Sequence, residues 1–176
     1  GLRDLATAAR LLQSQGFEFG YEFAGDGPLR PFLEDQKARG LPFRVCGYLE
    51  PEQLRAIYRH ADILVLPSYR ANTGRGGELF GIVLIEAYAE GVPVVATDCV
   101  GPQEIVVPGV TGALVRQRQP VELASTIAKM LLDTTKLGEM GENARRRAQS
   151  AYSVDIVSVK WWARIEHATL ETRSST

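Results

Sequence analysis

A doubly wound parallel sheet of the α/β class is what this sequence predicts, and three observations carry the expectation. Short runs rich in β-branched and aromatic residues alternate with helical stretches as far as Val115. Strand, helix and strand in repetition imply parallel strands with helices on both faces. Glycines and prolines fall between the periodic runs, where turns and helix ends want them. Beyond Val115 the periodicity is helical only, so a helical segment closes the fold.

Leu2 to Gln15 opens as a helix, with Leu5, Ala8, Ala9, Leu11 and Leu12 on one face and Gly16 as its stop. Phe19 to Ala24 reads as a strand. Gly25-Asp26-Gly27-Pro28 turns into a second helix with Pro28 at an early position, where a missing amide does no harm. Gly40 ends that helix beside Arg39, and Phe43 to Cys46 makes the next strand. Pro51 to His60 is a short helix whose Leu54, Ile57 and Tyr58 share a face, and Ile63 to Leu66 is a third strand. Gly81 should open a helix through Ala87, followed by a strand over Gly91 to Thr97. Gly101 to Ile105 reads as a helix start, Val107 to Gly112 as a turn, and Ala113 to Val115 as the last strand. Pro120 suits the first turn of a helix over Val121 to Leu132, and Lys136 to Ala148 continues with Leu137, Met140 and Ala144 inward. Val154 to about Leu170 is expected as the last helix, its Trp161 and Trp162 packing on a core or a neighbouring domain rather than facing lipid. Thr172 to Thr176 reads as a frayed tail.

Composition narrows the function classes. At 176 residues, with 45% hydrophobic and 23% charged residues, the chain can bury one core of ordinary size. A formal net charge of -1 argues against a nucleic-acid partner, which needs a strongly basic face. Arg145-Arg146-Arg147 is the one basic run, and it reads as a solvated helix face. Two cysteines, Cys46 and Cys99, both look like buried small hydrophobes, so a disulfide framework is not indicated. His60 and His167 have no cysteine or histidine cluster around them, and no metal site is expected. With no run long enough to span a membrane and no signal-like segment, the cytoplasm is the expected compartment.

The most informative pair is Glu78 and Glu86, which bracket Leu79-Phe80-Gly81-Ile82-Val83-Leu84-Ile85. An apolar run on all sides suggests a helix buried on most faces, and a carboxylate inside it needs a partner, since desolvating a charge costs several kcal/mol. No lysine or arginine lies within a helical turn of Glu86, which leaves a polyhydroxylated ligand such as a ribose. Gly76 and Gly77 precede Glu78, and Gly81 stands at the helix start, so backbone amides can approach a phosphate at the positive helix end. Gly81 to Glu86 rises about 7.5 Å, roughly the reach from a diphosphate to the ribose of the same nucleotide. Glu78 would face the group on the distal phosphate. The loops after the strands hold Gly25, Gly27, Tyr48, Leu49, Glu78 and Gly101, all expected at the carboxyl edge of the sheet.

Glu78-Leu79-Phe80-Gly81-Ile82-Val83-Leu84-Ile85-Glu86-Ala87, followed by Gly91-Val92-Pro93-Val94-Val95-Ala96, resembles the signature of the retaining glycosyltransferases of family 4. The resemblance extends to Phe23-Ala24-Gly25-Asp26-Gly27, Gly101-Pro102-Gln103-Glu104-Ile105 and Gly109-Val110-Thr111-Gly112-Ala113-Leu114-Val115. It implies the C-terminal, donor-binding half of a GT-B enzyme. Residues 1–152 would be the Rossmann-like nucleotide-sugar-binding domain, its first strand upstream of this chain, and 153–176 the C-terminal helix and tail of the same domain. Glu78 would contact donor-sugar hydroxyls, the amides around Phe80, Gly81 and Ile82 would hold the diphosphate, and Leu79 would belong to the same donor site. Glu86 would accept from the ribose, with Leu49 lining the base and Gly25 at the same cleft. A Gly-Arg pair and a lysine that family members carry would both lie upstream. The loop Tyr69 to Gly77 is longer than the common form, and its Arg70 and Arg75 could as well contact phosphate as remain solvated.

The implied activity is hexosyl transfer from a nucleotide diphosphate to a hydroxyl with retention, without a metal or other cofactor, Glu78 orienting the donor. The partner is an acceptor-binding N-terminal domain, without which this chain should transfer nothing, and through which the whole enzyme could touch a membrane peripherally. Two other readings compete. Gly25-Asp26-Gly27 lacks the third glycine of a dinucleotide fingerprint, which disfavours an NAD-dependent oxidoreductase. A non-hydrolysing sugar-nucleotide epimerase or a bare nucleotide-binding module could share the architecture.

Overall fold

In the computed structural model the described residues are 1–69 and 80–158, and their main elements run in the order α1 (Leu2–Ser14), β1 (Tyr21–Ala24), α2 (Arg30–Ala38), β2 (Phe43–Gly47), α3 (Pro51–His60), β3 (Leu64–Leu66), α4 (Ile82–Ala89), β4 (Val94–Thr97), α5 (Val100–Ile105), β5 (Gly112–Val115), α6 (Pro120–Leu132) and α7 (Thr134–Ala151). Every strand pairing in the ladders is parallel. The strands fall into two blocks, β1-β2 and β3-β4-β5.

Alternation along β4 shows the layering. Val95 joins Leu5, Ala8 and Leu12 of α1 and Leu123, Ala124 and Ile127 of α6 on one face. Its neighbours Val94 and Ala96 point the other way, onto Leu84, Ala87 and Tyr88 of α4, Tyr58 of α3 and Ala144 of α7. Successive strand side chains take opposite faces, so a strand buried at all four positions must have helices on both. β1 and β3 send Tyr21, Phe23 and Val65 to the same core beneath α1, which places both blocks under one helical layer. A third cluster joins Ala6 and Ala9 of α1 to Leu33 of α2 and Phe43 of β2. Burying a leucine such as Leu12 fully contributes roughly 1.5–3 kcal/mol, so this apolar face, more than intrinsic propensity, holds α1.

The helix ends follow from local chemistry. Phe17 N donates to Leu12 O and Gly16 N to Gln13 O, and the same two-bond closure recurs at Gly40-Leu41 and Gly91-Val92. Each glycine there has a positive φ, the left-handed turn that satisfies carbonyls a helix end would leave open. α3 begins in a capping box, Glu50 and Gln53 each bonding the other's backbone. Asp133 opens α7 by accepting from Lys136 N at 3.0 Å.

Several expectations shift here. Pro28 lies in the turn before α2, and the early-position proline is Pro31, because the helix starts only at Arg30. Gly91 terminates α4 instead of starting the strand, which begins at Val94. The arginine run is not a plain solvated face. Arg145 Nη2 donates to Glu90 O at 2.8 Å, and Arg147 donates to Ile105 O at 2.8 Å and Glu104 O at 3.0 Å, so two of the three close the carboxyl ends of α4 and α5. Cys99 is buried, whereas Cys46 is half-buried, and both are free thiols. Residues 154–158 are helical, while Trp161, Trp162 and His167 lie outside the described residues.

Candidate nucleotide-binding edge

Parallel strands put the loops after β1, β2, β3 and β4 on one edge, and the end of α4 is built there. Gly81 caps the helix in the left-handed region, φ 89° and ψ 53°, and among the described residues no side chain caps it. Glycine brings no side-chain acceptor of its own to this amino end, where exposed amides favour an anionic acceptor. A side chain at Gly81 would crowd Leu84, 3.0 Å from the added carbon.

Two neighbours fix this turn. Gly101 in the first turn of α5 lies so close to Phe80 that an added Cβ would stand 2.2 Å from the Phe80 carbonyl oxygen. Thr97, at the end of β4, donates its hydroxyl to the Ser68 carbonyl, and the Cys99 thiol donates to the same oxygen at 3.3 Å. The loop after β3 is thus tied to the end of β4, and the amino ends of α4 and α5 meet across it.

Glu86 differs from the sequence expectation. It is exposed, not buried, because it follows Ile82 by one turn and shares its outward face; Ile82 is 62% exposed. The inward face is Leu84, Ala87 and Tyr88, each fully buried. Burial therefore does not force a ligand on Glu86. What remains is placement, a carboxylate one turn beyond the glycine-capped amino end on the same face. Tyr58 of α3 reaches it, the phenol donating to Glu86 Oε2 at 3.0 Å. The two nearby arginines of α3 go elsewhere: Arg55 Nε lies 3.1 Å and Arg59 Nε 3.2 Å from the carboxylate of Glu90, one turn further along α4.

The remaining expected residues are placed as follows. Phe80, Gly81 and Ile82 come together at the helix end, with Phe80 46% exposed. Gly25 and Leu49 belong to the other strand block. Gly25 N donates to Gly47 O at 2.6 Å, holding the carboxyl ends of β1 and β2 together. Leu49 is half-buried and lines an open depression of about 390 Å³ with Glu22, Arg44, Gln53, Ala56, Ile57 and His60. Glu78 and Leu79, with Arg70 and Arg75, lie outside the described residues. His60 has its Nδ1 2.8 Å from Ala56 O, a contact within its own helix. Among the described residues no three His, Cys, Asp or Glu side chains gather as metal ligands, and no helix is long and apolar enough to cross a membrane.

Sequence reasoning passed over the role of Tyr58, and it placed Gly101 at the carboxyl edge without its contact to Phe80. Tyr58 was counted with Leu54 and Ile57 as one apolar face, and a phenol on a core face that also holds arginines was the available signal. The approach of Gly101 to Phe80 is a contact between distant segments and left no local trace.

The model of the family "Glycosyl transferases group 1" matches residues 1–147. Over 165 residues the chain is 31% identical to a putative colanic acid biosynthesis glycosyltransferase, WcaL, of Escherichia coli (strain K12), covering 90% of this chain and 40% of that protein. Over 129 residues it is 35% identical to D-inositol 3-phosphate glycosyltransferase of Corynebacterium kroppenstedtii, covering 71% of this chain and 27% of the relative. Among solved structures, sucrose-phosphate synthase from Thermosynechococcus elongatus superposes with a TM-score of 0.79 at 25% identity, over 97% of this chain and 43% of that one. HepE of Anabaena, solved in complex with UDP and glucose, superposes with a TM-score of 0.72 at 25% identity, over all of this chain and 45% of that one. The chain thus spans less than half the length of each of these proteins. Its parallel α/β layers, and the sequence match running through α4 and its flanking strands, place it in the glycosyl transferases group 1 family.

Proposed function

We propose that this chain forms the nucleotide-sugar-binding part of an enzyme that moves a hexosyl group from a nucleotide diphosphate to an acceptor hydroxyl with retention at the anomeric carbon. The observation that carries this reading is the glycine-capped amino end of α4 at Gly81, standing one turn before the exposed carboxylate of Glu86. The diphosphate would lie over the amides of Phe80, Gly81 and Ile82, and the ribose hydroxyls would donate to Glu86. Leu49 would line the base and Gly25 the rim beside it, while Glu78 and Leu79 would meet the donor sugar. The complex of the Anabaena neighbour with UDP and glucose supports a uridine nucleotide as the first candidate.

In the transfer, the bond from the anomeric carbon to the diphosphate oxygen breaks and a bond to the acceptor oxygen forms. The acceptor's proton passes to the leaving phosphate. Negative charge grows on the diphosphate, and amides already aimed at it stabilise the transition state more than the ground state. In this reading helix amides, with cations from a preceding segment, take the role a metal ion plays elsewhere. No carboxylate of this chain acts as a general base, and Glu78 orients the donor. The acceptor would be bound by a second, N-terminal domain, so this chain alone would transfer nothing. The compartment is the cytoplasm, with any membrane contact made peripherally through that other domain.

The test is binding of UDP-, GDP- and ADP-sugars by calorimetry to the chain and to its Glu86→Ala variant. One nucleotide class should bind, with Glu86→Ala weaker by about 10- to 100-fold, the range of a hydrogen bond to a charged acceptor. Equal affinities in the two proteins would rule out the ribose contact.

A further inference from the structure

Glu86 faces an α3 surface that carries Arg55, Tyr58 and Arg59, and the distribution of partners over that surface is uneven. Both arginines reach Glu90, at 3.1 and 3.2 Å, and both come within 4 Å of Glu52 on their own helix. Among the described residues, the hydrogen bond to Glu86 comes from a neutral donor, the Tyr58 hydroxyl at 3.0 Å. Tyr58 itself is 7% exposed, its ring packed among Leu84, Ala87, Tyr88 and Val92, so the hydroxyl is delivered from a rigid core position to a carboxylate at the surface. Burial, then the adjacent Glu86 charge, raises the phenol's pKa, which keeps it a donor at every physiological pH.

Building on the proposed ribose contact, we infer that Tyr58 is a positioning residue for nucleotide recognition, holding one oxygen of Glu86 so that the carboxylate stays aimed at a ligand's vicinal hydroxyls. A carboxylate offers about four lone-pair directions, and one phenol occupies one of them. A free glutamate on a helix surface samples several rotamers, and fixing it before binding removes an entropy cost that the ligand would otherwise meet. An arginine in place of the phenol would take two directions at once in a forked pair and compete with the ligand. The neutral donor orients without consuming the acceptor. Glu90, clamped by two arginines one turn away, shows the alternative that Glu86 is spared.

Wild type, Tyr58→Phe and Glu86→Ala are titrated with UDP, GDP and ADP, and with the 2′,3′-dideoxy form of whichever binds most tightly. Tyr58→Phe should weaken the ribonucleotide by about 5- to 10-fold, the scale of one oriented hydrogen bond, and leave the dideoxy form unchanged. A purely structural role would weaken both forms alike, and that result overturns the inference. So does wild-type ribonucleotide affinity in Tyr58→Phe while Glu86→Ala binds weakly. If Glu86→Ala binds as tightly as wild type, or no nucleotide binds at all, the ribose reading itself fails and the role of Tyr58 falls with it. Should Tyr58→Phe not fold, wild-type protein with carbon-13 at the tyrosine ring carbon bearing oxygen gives the answer. The Tyr58 signal should move with the ribonucleotide and not with the dideoxy form, and a signal that ignores both overturns the proposal.

Discussion

Replacing Gly101 by alanine perturbs the candidate site through backbone alone. The added Cβ would stand 2.2, 2.4 and 2.5 Å from the Phe80 carbonyl oxygen, carbonyl carbon and Cα, all main-chain atoms that cannot rotate aside. Non-bonded carbons settle at about 3.5–4.0 Å, so α5 and the Phe80-Gly81 turn must part by about 1 Å. Over-packing of this kind costs about 1–3 kcal/mol, which in a chain of this size lowers Tm by roughly 2–12 °C. The same displacement moves the amides that open α4, and misplacement by about 1 Å can cost on the order of 100-fold where geometry is critical. Gly101→Ala should therefore lose nucleotide affinity by tenfold or more at temperatures well below its Tm, while circular dichroism still reports a native helix content. Thermal scans and calorimetric titration with UDP, GDP and ADP read both effects. Wild-type Tm and wild-type affinity in this variant would refute the argument that α5 sets the position of the turn.

Other perturbations test the surrounding fold. Gly138→Ala, within α7 where an added Cβ meets nothing within 4 Å, should raise stability by about 0.5–1 kcal/mol in urea unfolding, and a loss would contradict the open environment. Tyr88→Phe removes the 2.6 Å bond between the buried Tyr88 hydroxyl and Thr111 Oγ1, and should destabilise by about 1–2 kcal/mol; an unchanged urea midpoint would argue against that bond. Burial pushes the Tyr88 phenol up to about 12, against the opposing pull of Thr111. Between pH 10 and 12 the unfolded chain therefore loses this proton while the folded one keeps it. Stability contributed by the neutral phenol is complete below pH 10 and falls by at most about 1.4 kcal/mol per pH unit as pH rises. Tm measured from pH 9 to 12 should drop less steeply in Tyr88→Phe, and parallel profiles would exclude Tyr88 as a source of the slope.

Much of the fold was legible because its signals are local. Gly16 and Gly40 announced two helix ends, Pro51 and Pro120 two starts, and the β-branched runs around Val65 and Val95 two strands. Strand pairing is not local, so nothing in the sequence told that the described strands divide into β1-β2 and β3-β4-β5. The site was half legible. Gly81 as a helix opener followed from an isolated glycine before an apolar run, and the left-handed cap bears it out. The burial of Glu86 was misjudged because Ile82, Val83, Leu84 and Ile85 are apolar on all sides, which erases the periodicity that would have marked an outward face. Only packing against β4, through Leu84, Ala87 and Tyr88, decides which side turns inward. Tyr58 escaped for the reverse reason: a residue typical of a core face carries its functional atom at the one end of the ring that reaches the surface.

Amide spectra of protein labelled with nitrogen-15 glycine, recorded during titration with UDP, GDP and ADP, report directly on whether phosphates settle on α4. The Gly81 resonance should shift with one of the three, the Gly101 resonance should follow through its contact with Phe80, and Gly138 should stay still. A Gly81 amide indifferent to all three nucleotides would contradict the placement of the diphosphate on that helix.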